Sequence, residues 1–220
     1  MLPLFPLGTV LYPGLLLPLH IFEERYRQLV SDLQDGPEPR YFGVIAIREG
    51  RETGVDGVSA LYEIGCTATL RRVTAHDDGR FDLITVGTRR FRLASELDQS
   101  RPYRRAEVDL LDEDTGDEAA AQLAAQAVQR GFRAYLDALA ARGVTQISVP
   151  DLPDEPVVLS YLVAASVIAD LGDKQALLAQ PDAVSRLTAE RAMLSREAAM
   201  LRSLTSTPAP ELRYAPYSPN

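Results

Sequence analysis

Four prolines divide an apolar stretch at the start of the chain, and this pattern constrains the fold more than any other feature. The stretch covers residues 1–26, and its prolines are Pro3, Pro6, Pro13 and Pro18. Because proline fixes φ and has no backbone N–H, a regular helix before Pro18 is excluded. The stretch therefore predicts two short strands, at residues 2–5 and 15–21, joined by a turn at Pro13-Gly14. A short helix is expected next, over about residues 23–33.

Further strands are predicted in the first half of the chain. Residues 41–48 form an apolar run of high strand propensity, and apolar side chains alternate with small or polar ones over residues 64–70. A glycine turn at residues 76–79 predicts a hairpin, and Gly87 predicts a bulge in its second strand. Beyond Gly87, Arg90 and Arg92 alternate with Phe91 and Leu93, so both arginines are expected to point outward. Five or six such strands suit a small β-barrel that is closed or nearly closed.

The second half of the chain is predicted to be helical. An acidic segment at residues 112–117 marks the boundary, and beyond it apolar residues recur with a helical period. Helices are expected at residues 119–141 and 157–171. A short helix capped by Asp173 is expected to end at Leu178, and a last helix runs from Pro181 to Leu204. The predicted fold class is α+β, with a β subdomain over residues 1–115, a helical subdomain over 116–204 and a proline-containing tail over 205–220.

Several segments, taken in order, resemble the N-terminal domain of the Lon protease family in its free-standing form. They are Leu-Pro-Leu-Phe-Pro-Leu at 2–7, Tyr-Pro-Gly at 12–14, Leu-Pro-Leu at 17–19, Phe-Glu-Glu-Arg-Tyr at 22–26, Asp-Gly-Arg at 78–80, Val-Gly-Thr-Arg-Arg-Phe at 86–91 and Asp-Lys-Gln-Ala-Leu-Leu at 173–178. The resemblance covers about residues 1–204. It implies a PUA-like β pseudobarrel followed by a helical bundle, and recognition of unfolded or degron-bearing polypeptide or of a protein partner. A role as an adaptor or regulator of proteolysis would follow.

No pattern in the 220 residues predicts catalysis. The phosphate loop of ATPases and the Ser–Lys dyad of the Lon protease module each need a lysine, and the only lysine, Lys174, lies outside both patterns. His20, Cys66 and His76 are the only nitrogen or sulfur ligands for a transition metal, and they are far apart in the sequence. We therefore expect a non-catalytic protein with no metal and no cofactor.

Composition bears on location and on partners. No apolar stretch reaches the ~20 residues that cross a bilayer, and a single cysteine allows no internal disulfide, so a cytoplasmic protein is expected.

Residues 1–105 carry 14 basic and 14 acidic side chains, whereas residues 106–220 carry 9 basic and 17 acidic ones. This acidic balance disfavours general nucleic-acid binding. The leucines of the last helix span only about two heptads, so the oligomeric state stays open.

Two sets of residues are candidates for a binding site. A shallow groove for partly apolar polypeptide is predicted around Pro13, His20, Phe22, Glu24, Arg25 and Tyr26. The alternative for Phe22 and Tyr26 is that they hold the short helix against the barrel. Because the PUA fold binds RNA in other proteins, a second hypothesis is RNA binding through Arg71, Arg72, Arg89 and Arg90. The alternative for these arginines is a solvated strand face on which their stems cover apolar surface.

Overall fold

The described part of the protein consists of a mixed sheet and five helices, as predicted for the α+β class. The computed structural model describes residues 1–51, 58–95, 97–98, 100–143 and 151–203. The elements are β1 (Leu2–Leu7), β2 (Leu16–Ile21), α1 (Glu24–Asp35), β3 (Tyr41–Gly50), β4 (Val58–Ala75), β5 (Phe81–Leu93), β6 (Arg105–Ala106), β7 (Val108–Leu110), α2 (Glu118–Ala140), α3 (Pro156–Ser166), α4 (Leu171–Leu178) and α5 (Ala183–Ser203). The predicted tail at residues 205–220 lies outside the described residues.

The seven strands form one sheet that does not close into a barrel. Its strand order is β2-β5-β4-β3-β1-β6, and β7 also pairs with β5. The pairing of β1 with β3 is parallel, whereas the other strand pairs are antiparallel. Within the described residues β2 pairs with β5 alone, and no hydrogen-bonded ladder joins β2 to β1. The expectation of a closed or nearly closed barrel is therefore not confirmed, because a gap remains between these two strands.

Glycine allows the turn before β2 to approach the sheet closely. The Gly14 N–H donates to the carbonyl of Gly87 at 2.8 Å, and the Gly87 N–H donates to the carbonyl of Leu15 at 2.9 Å. A Cβ atom at Gly87 would overlap the carbonyl oxygen of Tyr12. The pairing register of β4 with β5 also shifts beside this residue, between Cys66 and Ala68. The bulge predicted at Gly87 is thus present, and glycine is required there for backbone contact.

Three of the four helices after the sheet begin at an aspartate that caps them. For α5 this residue is Asp182, which accepts from the N–H of Ser185 at 2.7 Å. The Asp117 side chain accepts from the N–H of Ala120 at 2.8 Å and begins α2. The helix predicted over residues 157–171 is shorter than expected, because α3 ends at Ser166 and the backbone is extended at Val167. Asp170, and not Asp173, caps α4 by accepting from the N–H of Asp173 at 2.8 Å.

One apolar cluster and one buried polar network join the sheet to the helices that follow it, and two further apolar clusters lie within the sheet part. Tyr12 and Ile64 from the sheet side pack among the buried side chains of the helices. Arg90 in β5 is 2% exposed, and its guanidinium lies 2.9 Å from the carboxylate of Glu113. The same guanidinium donates to the carbonyls of Leu178 and Gln180 at 3.0 and 2.5 Å. These bonds fasten the C-terminal end of α4 to the middle of the sheet.

Candidate functional site

The gap between β1 and β2 forms a small apolar groove. It is about 110 Å³ in volume, and the first turn of α1 closes one end of it. Its lining residues are Phe5, Pro6, Leu7, Leu19, His20, Ile21, Phe22, Glu23 and Tyr26. Seven of these residues belong to β1, β2 or α1, the other two lie between β2 and α1, and all nine fall within residues 5–26. The N-terminal sequence therefore builds the whole groove.

The floor of the groove is rigid and belongs to the core of the sheet. Tyr26 is buried and its ring stacks on that of Phe5, with 4.1 Å between the ring centroids. Ile21 is also buried beside them. Tyr26 therefore fixes α1 to the sheet, which is the alternative that the sequence left open for this residue.

Phe22 lies at the edge of the groove and does not pack into the core. It occupies the single position between Ile21 and the helix N-cap Glu23, and 54% of its surface is exposed. Its ring stacks loosely on that of His20, with 6.3 Å between the centroids. The alternative in which Phe22 holds α1 against the sheet is thus not what the structure shows. An exposed phenylalanine beside an apolar groove is available to a partner.

The two charged residues predicted for the groove, Glu24 and Arg25, differ in burial, and neither lines the groove. Arg25 is mostly buried, since it pairs with Glu23 at 2.9 Å and its guanidinium lies 4.5 Å from the ring centroid of Tyr26. The guanidinium of Arg25 thus packs against the ring of Tyr26. Glu24 is exposed in the first turn of α1 but does not line the groove.

Pro13 lies apart from the other predicted residues. It belongs to the turn before β2, which is fastened to Gly87, whereas His20 and Phe22 lie at the opposite end of that strand. The six residues predicted for polypeptide binding are therefore not one cluster. The structure brings together His20, Phe22 and Tyr26, and adds Glu23 and the side chains of β1.

Both histidines of the chain meet at the rim of the groove on one carboxylate. Nδ1 of His20 lies 2.6 Å from one oxygen of Asp82, and Nε2 of His76 lies 2.7 Å from the other. These hydrogen bonds, first that of His20 and then that of His76, hold the pKa of Asp82 below its ordinary value. Sequence reasoning missed this cluster because its members are separated in the chain. Strand pairing unites them, since His20 is the direct partner of Asp82.

Cys66 is remote from these histidines. It is buried in the core of the sheet, and burial raises the pKa of its thiol to about 12. A thiol in such surroundings is a poor nucleophile and a poor metal ligand.

A larger and more open cleft lies at the other end of the sheet. It measures about 510 Å³ and is bounded by the start of β1, Tyr41 and the residues of β7, with Glu107 and Asp109 among its walls. None of the residues predicted for polypeptide binding lines this cleft. Its lining is also more polar than that of the groove, so we place the candidate site in the groove.

The four arginines proposed for RNA binding do not form one exposed patch. Arg71 and Arg72 are exposed, and Arg89 lies 2.8 Å from the carboxylate of Asp112. Arg90 is buried in the network between sheet and helices, so its guanidinium is not accessible to a phosphate. The structure corrects the expectation that Arg90 points outward into solvent, because α4 covers that face of β5. RNA binding by the other three stays a prediction.

None of the helices in the described ranges is long and apolar enough to cross a membrane.

Comparison with known proteins identifies relatives along most of the chain. The family described as "ATP-dependent protease La (LON) substrate-binding domain" matches residues 1–196. The Lon protease of Cytophaga hutchinsonii is 27% identical over 91% of this chain and 24% of its own length. The Lon protease of Escherichia coli K12 is 24% identical over 91% of this chain and 25% of its own length. The chain thus spans about a quarter of the length of these curated relatives.

Solved structures agree with the sequence relatives. The crystal structure of a Lon N-terminal domain protein from Xanthomonas campestris is 25% identical, with a TM-score of 0.61, over 87% of this chain and 96% of that one. The N-terminal domain of Mycobacterium avium complex Lon protease shares the fold, with a TM-score of 0.66 at 16% identity over 88% of this chain and 97% of that one. The resemblance seen in the sequence motifs is confirmed: the chain belongs to the Lon substrate-binding domain family.

Proposed function

We propose that this domain recognises polypeptide, and that it holds exposed apolar segments in the groove between β1 and β2 without carrying out covalent chemistry. The observation that carries the proposal is the position of Phe22, a large apolar side chain that is 54% exposed directly beside an apolar groove. Fully burying a phenylalanine contributes roughly 1.5–3 kcal/mol. A partner that covers the exposed half of Phe22 would therefore gain about 1 kcal/mol from this residue alone.

The shape of the groove favours an extended client. It lies between two strands, and β2 is an edge strand that pairs only with β5 within the described residues. Edge strands offer unpaired backbone groups, to which an extended peptide can add while its side chains enter neighbouring pockets. The volume of about 110 Å³ is well below that of pockets for cofactors and drug-sized molecules, which begin at roughly 300 Å³. The groove therefore suits one or two side chains of a peptide.

The lining of the groove supports binding without catalysis. Its residues include no serine, threonine, cysteine or lysine that could act as a nucleophile. The matched family is described as the substrate-binding domain of an ATP-dependent protease. We therefore propose that the client is a polypeptide destined for proteolysis or a protein partner, and that the domain acts as an adaptor or regulator.

A binding assay with matched variants tests this function. Fluorescence anisotropy with labelled, carboxymethylated α-lactalbumin, which stays unfolded, would report the dissociation constant. We expect Phe22→Ala to weaken binding roughly fivefold, which corresponds to the loss of about 1 kcal/mol. The control is Ile168→Ala, because Ile168 is 68% exposed but lies after α3 and outside the groove.

The comparison of the two variants separates binding at the groove from non-specific binding to exposed apolar side chains. The proposal requires that Phe22→Ala loses affinity while Ile168→Ala keeps it, with both variants melting near the temperature of the parent protein. Equal affinities for the parent and Phe22→Ala, or equal losses in the two variants, would remove the groove from the function.

A further inference from the structure

The chain has only two histidines in its 220 residues, and both converge on one carboxylate. One ligand atom each from His20, His76 and Asp82 can be chosen so that all three lie within 4.8 Å of one another. All three side chains are exposed, so an ion can reach them from solvent. The rings of the two histidines meet edge to face, with centroids 6.2 Å apart.

We propose that His20, His76 and Asp82 form a binding site for a divalent transition-metal ion of the Zn²⁺ type. Two imidazole nitrogens and one carboxylate oxygen are the ligand set of zinc sites that keep a fourth position for water. The site differs from the groove in chemistry, because it would take an ion and not a peptide side chain.

The backbone fixes two of the three ligands on paired strands and the third at the start of the turn between β4 and β5. His20 in β2 is the direct pairing partner of Asp82 in β5. His76 follows the last residue of β4, and its N–H donates to the carbonyl of Arg80 at 2.9 Å across the hairpin turn. Ligands held on paired strands keep their separation better than ligands on independent loops.

Only small side-chain movements would open the cluster for an ion. Zn–N and Zn–O bonds of about 2.0–2.1 Å with tetrahedral angles place neighbouring ligand atoms about 3.3 Å apart. The two histidine nitrogens are now 2.6 and 2.7 Å from the oxygens of Asp82. The two contacts are to different oxygens, so the histidine nitrogen that faces the coordinating oxygen would move away from it by about 0.6–0.7 Å. The other pairs of ligand atoms, which now lie within 4.8 Å of one another, would adjust to the same spacing, and χ rotations of exposed side chains can supply these movements. In this exchange the ion replaces the protons that the imidazoles share with the carboxylate.

The charges around the cluster favour a cation on balance. Asp77, Asp78 and Asp82 bring three carboxylates to the hairpin. Two cations lie near them, Arg80 in the turn and Arg27 of α1, whose guanidinium lies beside Gly79. The guanidinium of Arg80 lies 3.5 Å from Nε2 of His20, but Asp78 neutralises it through two contacts of 2.6 Å. Because Nε2 of His20 carries the proton once Nδ1 binds the ion, Arg80 would turn away from this nitrogen.

Metal titration of the untagged full chain tests the site directly. We expect isothermal titration calorimetry with ZnCl₂ to show one ion bound per chain, and Co²⁺ to give the visible absorption of a site with nitrogen and oxygen ligands. Loss of an outer-shell partner weakens metal binding roughly 10–100-fold, so loss of a ligand in His76→Asn or Asp82→Asn should weaken it at least roughly tenfold. His20 is left in place because it also lines the groove.

Asp77→Asn is the matched control. Asp77 is an exposed carboxylate of the same turn that supplies no atom to the cluster, so this variant should bind Zn²⁺ as the parent does. Thermal melts show whether each variant is folded. The proposal fails if the folded parent binds no Zn²⁺ with a defined stoichiometry, or if Asp77→Asn loses as much affinity as Asp82→Asn. Neither result depends on whether the groove binds polypeptide.

Discussion

Replacing Arg90 with methionine should loosen the junction between the sheet and the helices. The guanidinium pairs with Glu113 at 2.9 Å and donates to the carbonyls of Leu178 and Gln180. Methionine keeps the apolar part of the stem but offers no donor. The carboxylate of Glu113 would retain the hydroxyl of Tyr161, which donates to it at 2.5 Å, but would lose its positive partner. The carbonyl of Leu178 would lose this donor, and the carbonyl of Gln180 would keep only the 3.5 Å contact from the guanidinium of Arg186.

The size of this effect follows from the burial of the pair. Removing one partner of a buried ion pair costs roughly 3–5 kcal/mol. Arg90 is fully buried but the side chain of Glu113 is 29% exposed, so water can solvate the remaining carboxylate and the lower end applies. For a chain of this size 1 kcal/mol corresponds to about 2–4 °C, so a loss of about 3 kcal/mol should lower Tm by about 6–12 °C.

Thermal unfolding followed by circular dichroism measures this change, and Arg89 provides the control. Arg89 is the preceding residue, half-exposed, and pairs with the almost fully exposed Asp112. Exposed pairs contribute little, so Arg89→Met should shift Tm by less than about 4 °C. Equal shifts in the two variants would refute the reasoning that Arg90 fastens the helices to the sheet.

Three further predictions concern packing and protonation. Gly87→Ala should lower the free energy of unfolding by roughly 1–3 kcal/mol, because the new Cβ would overlap the carbonyl of Tyr12. Gly131→Ala inside α2 has room for a Cβ and should raise the free energy of unfolding by roughly 0.4–1 kcal/mol. Urea titrations measure both changes. Burial raises the pKa of Glu190 well above its ordinary value, so the folded protein holds a proton that the unfolded chain releases. Stability should therefore fall from pH 5 to pH 8 in the parent and fall less in Glu190→Gln, and parallel curves from urea unfolding would contradict this. Cys66 should resist iodoacetamide in the folded protein and react once urea unfolds it, and mass spectrometry would show rapid alkylation of the native protein if its burial were wrong.

Local sequence signals predicted the elements of the fold well. The prolines at the start indicated two strands and a turn, and β1 and β2 lie there. The helical period predicted both ends of α2 to within one residue, because its amphipathic face and its capping residue Asp117 are both local sequence patterns. The break between α3 and α4 was predicted a few residues too late, between Leu171 and Asp173, since residues 157–171 are nearly uniformly apolar and nothing in the local pattern distinguished Asp170 as a cap.

Local sequence signals did not predict which residues come together through tertiary contacts. Alternation along β5 placed Arg90 on the face opposite to Phe91, but alternation does not tell whether a second layer covers that face. The gap between β1 and β2 depends on whether two strands that are not neighbours in the sheet order pair with each other, which no local pattern encodes. The cluster of His20 and His76 was hidden for the same reason, because strand pairing alone brings these residues together.

Nuclear magnetic resonance of the labelled domain, titrated with a leucine- and valine-rich peptide that is blocked at both ends, tests the central claim most directly. Binding between β1 and β2 predicts that amide signals of Leu19, His20, Phe22 and Glu23 shift with the peptide concentration. Signals around Tyr41 and Leu110, which border the larger cleft, should stay in place. Shifts confined to that cleft or to the hairpin around Arg71 and Arg72, with the groove unaffected, would contradict the account.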